Sequence, residues 1–170
     1  RDVIDTFLPL ETGFHNLAVV SSKQRFPRQA RKTALGLLGA GQMMFLKVII
    51  VVDEEHQVKD LEKLLDALHN KVNIPDDLVI LEGMVADSLA HTSPWENVHD
   101  KLIIDATTPS EGDPISRPQE SSVGESLAIS ASAIEGVVQA RMLRPSMMVV
   151  TTEVEGSPSP EESVEVTNNH

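Results

Sequence analysis

The chain has 170 residues, of which 41% are hydrophobic and 3% aromatic, and it contains no cysteine. This length suits a domain with an aliphatic core, while the missing cysteines exclude a disulfide scaffold and a thiolate metal site. The formal net charge of −12 argues against nucleic-acid binding, and no apolar run is long enough for an integral membrane segment. We therefore expect a cytoplasmic protein, and the first residue, Arg1 rather than Met, indicates a fragment or a processed piece.

The first part of the chain predicts one strand and one helix. Residues 1–13 mix charged, proline and apolar residues without a period and are interpreted as a lead-in segment. A first strand is predicted over 14–21. A helix is predicted over 27–38, because its apolar residues recur at helical spacing and a proline suits the first turn. Gly39 and Gly41 end this helix.

The apolar run 45–52 is the element around which the fold is predicted to form. It is short and rich in Val and Ile, and Lys47 is its only charged residue. Such a run is typical of a strand buried on both faces of a parallel sheet. Asp53 follows it and is placed to cap a second helix over 57–71. The order of these elements predicts a three-layer α/β/α domain around a mostly parallel sheet, spanning residues 14–152.

The rest of the chain predicts shorter elements around this centre. Strands are expected over 78–82 and 101–106, and an exposed loop over 107–123. An amphipathic helix is predicted over 127–143, followed by a last strand over 146–152. Residues 153–170 carry five Glu and no Lys or Arg, and they are predicted to form an acidic disordered tail.

Spacing alone reveals no catalytic machinery. Asp53, Glu54 and Glu55 stand at the carboxyl end of the central strand, where they could hold a cation or act as general acid or base. A solvated turn explains them equally simply, and we favour that interpretation. The six histidines show no paired ligand spacing, and no nucleophile motif surrounds a serine, so no metal site and no catalytic residue is predicted. His91 alone is retained, because it lies in an irregular loop.

A basic cluster formed by Arg28, Arg31 and Lys32 predicts a partner. No acidic residue occurs between Glu11 and Asp53, so the positive charges of this helix repel one another along the sequence. The cluster is either a solvated helix surface or a face that receives an acidic partner, such as another subunit.

Four segments occur in a recognisable order between residues 10 and 108. They are FHNLAVVS followed by KQRFP at 14–27, GQMM leading to VVD at 41–53, DSLAHTSP at 87–94, and KLIIDAT at 101–107. Together they resemble the C-terminal part of UbiD-type decarboxylases, the 3-octaprenyl-4-hydroxybenzoate carboxy-lyases and their menaquinone-pathway relatives. Ala90 and Ile103 stand where that family has Asp and Gly.

The resemblance implies a domain that joins subunits and closes over an active site as a lid, without being catalytic alone. It implies that prenylated FMN and a divalent metal are bound by an upstream domain that this chain lacks, so that no cofactor is expected in this chain. By motif match, the substrate-pocket lining falls on Leu46 and Val48 of the central strand and on Leu89 and His91 of the loop. The expected reaction is non-oxidative decarboxylation in ubiquinone or menaquinone biosynthesis or in aromatic acid metabolism.

The expected partners are therefore the upstream cofactor domain and further copies of the chain in a homo-oligomer. The alternative is a stand-alone α/β module that binds a ligand or another protein at the carboxyl edge of its sheet.

Overall fold

The computed structural model of the chain describes residues 2–13, 15–74, 76–90, 95–113, 131, 133–144 and 147–152. These residues fall into two compact units, Arg1–Pro118 and Gln119–His170, where the sequence predicted a single domain over 14–152. Within the described residues, no helix has the length and hydrophobicity needed to cross a membrane.

The first unit contains a mixed five-stranded sheet. Its strands are β1 (Val3–Phe7), β2 (Leu17–Ser22), β3 (Val48–Asp53), β4 (Leu78–Val85) and β5 (Val98–Ala106). They lie in the order β1-β2-β3-β5-β4. The central strand β3 is parallel to β2 and to β5, whereas β1 and β4 are antiparallel edge strands. The second unit contributes the antiparallel hairpin of β6 (Val137–Arg144) and β7 (Met147–Thr152).

The prediction of a mostly parallel sheet is wrong. Three of the five strand pairings are antiparallel, namely β1–β2, β4–β5 and β6–β7. Parallel neighbours need a crossover connection, usually through a helix, whereas antiparallel neighbours need only a loop. The chain supplies such crossovers between β2 and β3 and between β3 and β5, whereas the antiparallel partners are consecutive strands in the chain.

The first unit also contains two α-helices, α1 (Gln29–Leu38) and α2 (Leu61–Lys71). Both were predicted, but α2 begins four residues later than expected. Its cap is Asp60, whose Oδ1 accepts a hydrogen bond from the Lys63 backbone N–H at 3.1 Å. The prediction that Asp53 caps this helix is therefore wrong, because Asp53 is the last residue of β3.

Two hydrophobic clusters form on the strands, and α1 belongs to one and α2 to the other. Alternate residues of β2 and β3 enter each cluster, because successive side chains of a strand point to opposite faces. The first cluster contains Ala18, Val20, Ile49, Val51 and Ile103 together with Ala30, Ala34 and Leu38 of α1. The second contains Val19, Ile50, Val52 and Ala106 together with Leu64 and Ala67 of α2. The prediction that the central strand is buried on both faces is confirmed, but the strand spans Val48–Asp53 rather than 45–52, because Gly41–Phe45 form a 3-10 helix before it.

Two segments differ from their predicted structure. The expected lead-in, residues 1–13, contributes β1, which pairs with the otherwise open edge of β2. The helix predicted over 127–143 is wrong for residues 137–143, which form β6. Pairing with β7 gives the backbone N–H and C=O groups of this segment hydrogen-bond partners. The β-branched Val137 and Val138 also suit a strand. The predicted tail at 153–170 and most of the loop predicted at 107–123 lie outside the described residues.

Candidate functional site

Several polar side chains gather at one edge of the sheet, where β2 and β3 begin and β4 ends. Leu17, Val48 and Leu102 are paired across three strands there, and Val85 at the end of β4 pairs with Val98. We call this the amino edge. The residues His15, Phe45, Asp87, Leu89 and Lys101 lie at it and form what we call the amino-edge cluster.

Lys101 is the most buried member of this cluster, with 2% of its surface exposed. It stands on β5 opposite Leu81 of β4, two residues before the core residue Ile103. Its Nζ donates hydrogen bonds to the backbone carbonyl oxygens of Met44 at 2.7 Å, Leu46 at 2.8 Å and Val85 at 2.8 Å. Burial lowers the pKa of Lys101 to about 8. The ammonium group thus bridges the segment before β3 and the end of β4.

Asp87 and His15 form a second contact at this edge, although they are 72 residues apart in the chain. The distance between His15 Nδ1 and Asp87 Oδ2 is 2.8 Å. Hydrogen bonds from the Leu89 backbone N–H and from His15 lower the pKa of Asp87, so its carboxylate is ionised at neutral pH and His15 Nδ1–H donates. The His15 ring also lies 5.8 Å from the ring of Phe45, measured between centroids.

A surface concavity opens beside this pair, lined by Gly13, His15, Asn16, Asp87, Leu89 and Ala90. The turn that delivers His15 requires a glycine at residue 13, where φ is +74°. A Cβ atom there would also lie 2.7 Å from Asn16 Nδ2. The turn after β4 forms another part of the lining of this concavity. The Asp87 carboxylate stabilises this turn by accepting a hydrogen bond from the Leu89 N–H at 2.9 Å.

The four residues predicted to line a substrate pocket fall in different environments. Leu46 is fully buried in the first hydrophobic cluster, and Val48 packs against the second, so the two face opposite sides of the sheet. Leu89 is 77% exposed and lines the concavity. His91 lies outside the described residues. The pocket-lining role of all four stays a prediction.

At the opposite edge, where the parallel strands end, Asp53 is tied into the fold. Its carboxylate accepts hydrogen bonds from Lys71 Nζ, from Thr108 Oγ1 at 2.7 Å and from the Thr108 N–H. Burial alone would raise the pKa of Asp53, but these hydrogen bonds outweigh burial and lower it. Glu54 and Glu55 are exposed. This arrangement supports the structural interpretation of Asp53.

The basic cluster contacts acidic and carbonyl groups of its own chain. Arg28 lies 2.7 Å from Asp77 and 3.3 Å from Asp113, measured between guanidinium nitrogens and carboxylate oxygens. Arg31 donates to the carbonyl oxygen of Asp76, and Lys32 lies 2.6 Å from Asp2. The acids that were missing from the neighbouring sequence are thus supplied by the fold, and the partner-binding role of the three residues stays a prediction.

The buried carboxyl group of Asp105 also lies at the edge where the parallel strands end. Burial raises the pKa of Asp105, although Thr107 donates to its Oδ1 through both its N–H and its hydroxyl group. Among the residues that the structure describes, no group of three or more His, Asp or Glu side chains is arranged to hold a metal ion.

Sequence reasoning did not identify His15, Asp87 and Lys101 as site residues. The first two were quoted only as parts of larger motifs, and nothing in a sequence separation of 72 residues indicates their contact. For Lys101 a signal existed, since it is a lysine in phase with the apolar Ile103 on a predicted strand.

Comparison with known proteins gives a family match. The model of the 3-octaprenyl-4-hydroxybenzoate carboxy-lyase C-terminal domain, UbiD_C, matches residues 1–106. An uncharacterized protein of Archaeoglobus fulgidus is 39% identical over 106 residues, which are 62% of this chain and 22% of the relative. An uncharacterized protein of Aquifex aeolicus is 42% identical over 107 residues, again 22% of its length. The chain thus spans about a fifth of these curated relatives.

Solved structures show the same fold in decarboxylases. The closed form of the vanillic acid decarboxylase of Sedimentibacter hydroxybenzoicus superposes with a TM-score of 0.63 at 28% identity, covering 76% of this chain and 28% of that one. The UbiD-class enzyme HmfF of Pelotomaculum thermopropionicum, solved in complex with FMN, gives a TM-score of 0.59 at 21% identity, with the same two coverages. The second likeness shows the fold alone.

Proposed function

The chain belongs to the family of 3-octaprenyl-4-hydroxybenzoate carboxy-lyase C-terminal domains, and we propose that it is the lid and docking domain of a UbiD-class decarboxylase. In this proposal the amino edge faces the active site of a cofactor domain, and the turn after β4 covers the substrate. The substrate class is an aromatic or α,β-unsaturated acid, of quinone biosynthesis or aromatic acid metabolism.

One observation carries the proposal, namely the exposure of large apolar side chains on β4, on the turn that follows it and at Trp95 just before β5. Ile80 is 65% exposed, Val85 43%, Leu89 77% and Trp95 68%. An exposed group of this kind favours contact with another surface. The matched decarboxylases are several times longer than this chain, which covers 28% of the vanillic acid decarboxylase. The remainder of such an enzyme is the partner that we propose for this edge, with association between copies of the complete enzyme as a further proposal.

Within the part of the chain that the structure describes, the amino edge does not fit the cofactors that the family implies. The described residues contain no cluster of His, Asp or Glu that suits a divalent metal. The concavity at the amino edge is lined by six residues and has one carboxylate, already paired with His15. We therefore propose that prenylated FMN and metal are held by the partner domain, and we assign no step of the reaction to this chain.

The experiment that tests the proposal is a decarboxylation assay of three samples. They are this chain alone, a UbiD-class cofactor domain loaded with prenylated FMN, and the two combined, with vanillate as the first substrate. We expect turnover only in the combined sample. Turnover by this chain alone, or no effect of the chain on the cofactor domain, would contradict the proposal and favour a stand-alone binding module.

Two exposed leucines give a matched pair of variants for the same assay. Leu89→Asp places a charge on the proposed lid turn and is expected to lower the activity of the combined sample about tenfold or more, because a desolvated charge in an interface is costly. Leu61, on α2, is 64% exposed and distant in the chain from that turn. Leu61→Asp is expected to keep the activity of the parent chain.

A further inference from the structure

Lys101 has a complete set of hydrogen-bond acceptors in the main chain. An ammonium group carries three donors in a tetrahedral arrangement, and each of them meets one backbone carbonyl oxygen at 2.7–2.8 Å. Two of the acceptors, Met44 and Leu46, precede β3, and the third, Val85, ends β4. Among the amino-acid types, only lysine carries three hydrogen-bond donors on a single side-chain atom.

Stability alone does not explain a lysine at this position. None of the ion pairs formed among the described residues involves Lys101. A buried charge without a counter-charge costs free energy, and its replacement by an apolar side chain is often neutral or stabilising. What the ammonium group provides is a fixed distance between two chain segments that no strand pairing joins directly.

Both of these segments carry a contact of His15. Phe45 stands between Met44 and Leu46, and its ring lies against the ring of His15. Asp87 follows Val85 by two residues, and its carboxylate accepts from His15. The same carboxylate holds the turn that exposes Leu89. Lys101 therefore connects, through the backbone, the two groups between which the imidazole ring is held.

We propose that Lys101 is a positioning residue that sets the geometry of the His15–Asp87 pair and of the Leu89 turn. The positioning concerns this chain by itself, whereas its consequence for a bound acid rests on the proposed function. Lys101 would then act on the substrate only through the other members of the amino-edge cluster.

The first test uses the 15N-labelled chain and two lysine variants. Lys101→Met keeps the length of the side chain but removes its three donors. Lys71→Met is the control, because Lys71 is a partly buried lysine, with 31% of its side chain exposed, that is bound to Asp53 at the opposite edge. The readouts are the NMR signal of His15 Nδ1–H and the hydrogen exchange of the Leu89 and Ala90 amides. These amides donate to Asp87 Oδ1 and to the Asp87 carbonyl, each at 2.9 Å.

In Lys101→Met we expect the His15 signal to move towards that of Asp87→Asn and both amides to exchange about tenfold faster. In Lys71→Met we expect neither change, whatever happens to the melting temperature. Lys101→Gln, with two donors and no charge, serves as second variant if Lys101→Met does not fold. A folded Lys101 variant with the parent's His15 signal and exchange rates would overturn the proposal.

The second test measures how the Lys101 variant changes decarboxylation by the combined sample of this chain and the cofactor domain. We expect Lys101→Gln to raise KM for the acid by about tenfold with a smaller change in kcat, because the lid is misplaced rather than the chemistry removed. If Lys101→Gln and Lys71→Met raise KM and lower kcat to the same extent, the role of Lys101 is merely structural. If the combined sample is inactive with the parent chain, the proposed function fails, while the NMR result still decides the positioning.

Discussion

At the scale of single residues, the fold replaces local charge repulsion with pairing over long sequence separations. Arg28 shows this most clearly. It has a left-handed backbone with φ of 63°, which is unfavourable for a residue other than glycine by about 1 kcal/mol. Its guanidinium group contacts Asp77 and Asp113, and these contacts offset the backbone strain.

The first prediction concerns this residue. Arg28→Glu is expected to lower the free energy of unfolding by on the order of 3 kcal/mol, because it leaves Asp77, which is buried, facing a like charge. Lys32→Glu is the control, since the Lys32 side chain is 63% exposed and its pair with Asp2 lies at the surface, where an ion pair contributes little. Urea unfolding of both variants measures the difference. Equal stability of the two variants would show that the Arg28 contacts contribute little.

The second prediction concerns the pH dependence that Asp53 gives to folding. Its pKa in the folded chain is lowered from the usual 3.8, so its stabilising contribution is fully present above that pH. The contribution is lost as the pH falls through the lowered pKa, because the folded carboxylate must then take up a proton.

We therefore expect Asp53→Asn to lower the free energy of unfolding by about 2 kcal/mol at pH 7 and by progressively less below pH 3.8. Glu54→Gln changes the neighbouring residue, which is exposed, and is expected to show no such pH-dependent difference. Thermal unfolding between pH 2.5 and pH 7 gives both curves. A difference between parent and Asp53→Asn that is independent of pH would contradict the assignment.

At the scale of elements, local pattern and tertiary pairing agree in the centre of the sheet and disagree at its margins. The β3 segment is short and rich in Val and Ile, and it buries its continuous apolar surface as a strand covered on both faces. Residues 137–144 have a weaker pattern that suits either a helix or a strand, and pairing with β7 decides between the two.

The third prediction compares two isoleucines in strands of the same sheet. Ile50 in β3 is 6% exposed, whereas Ile80 in the edge strand β4 is 65% exposed. Ile50→Asp is expected to prevent folding, because an unpaired buried charge costs several kcal/mol or more. Ile80→Asp is expected to leave a cooperative unfolding transition. Circular dichroism during thermal unfolding checks both variants, and cooperative unfolding of Ile50→Asp would contradict the assigned place of β3.

At the scale of the whole molecule, the described residues of the two units differ in how much core they contain. Both hydrophobic clusters, with the partly buried residues packed against them, lie between Val3 and Ala106. The family match ends at residue 106 as well. The second unit, Gln119–His170, has the β6–β7 hairpin as its regular structure within the described residues.

The fourth prediction follows from this distribution. A chain truncated after Pro118 is expected to unfold cooperatively, with a Tm within about 5 °C of the full chain, which corresponds to about 1 kcal/mol for a domain of this size. Differential scanning calorimetry of both chains measures it. Loss of the cooperative transition would show that the first unit needs the second in order to fold.

The sequence by itself determined the features that depend on local pattern. These are the central buried strand, the two helices α1 and α2, the strands β2, β4 and β5, and the motif order that identified the family over most of its matched length. Hydrophobic periodicity and runs of β-branched residues are properties of neighbouring residues, so they can be read from the chain directly.

The tertiary structure decided everything that depends on which distant segments meet. The mixed sheet, the pairing of Arg28 with Asp77, the contact of His15 with Asp87 and the three carbonyl acceptors of Lys101 all join residues at least 12 positions apart. Hydrogen bonds and ion pairs act over a few ångströms in space, and a sequence position carries no record of that distance. For this reason the candidate site, unlike the core, became visible only in the folded chain.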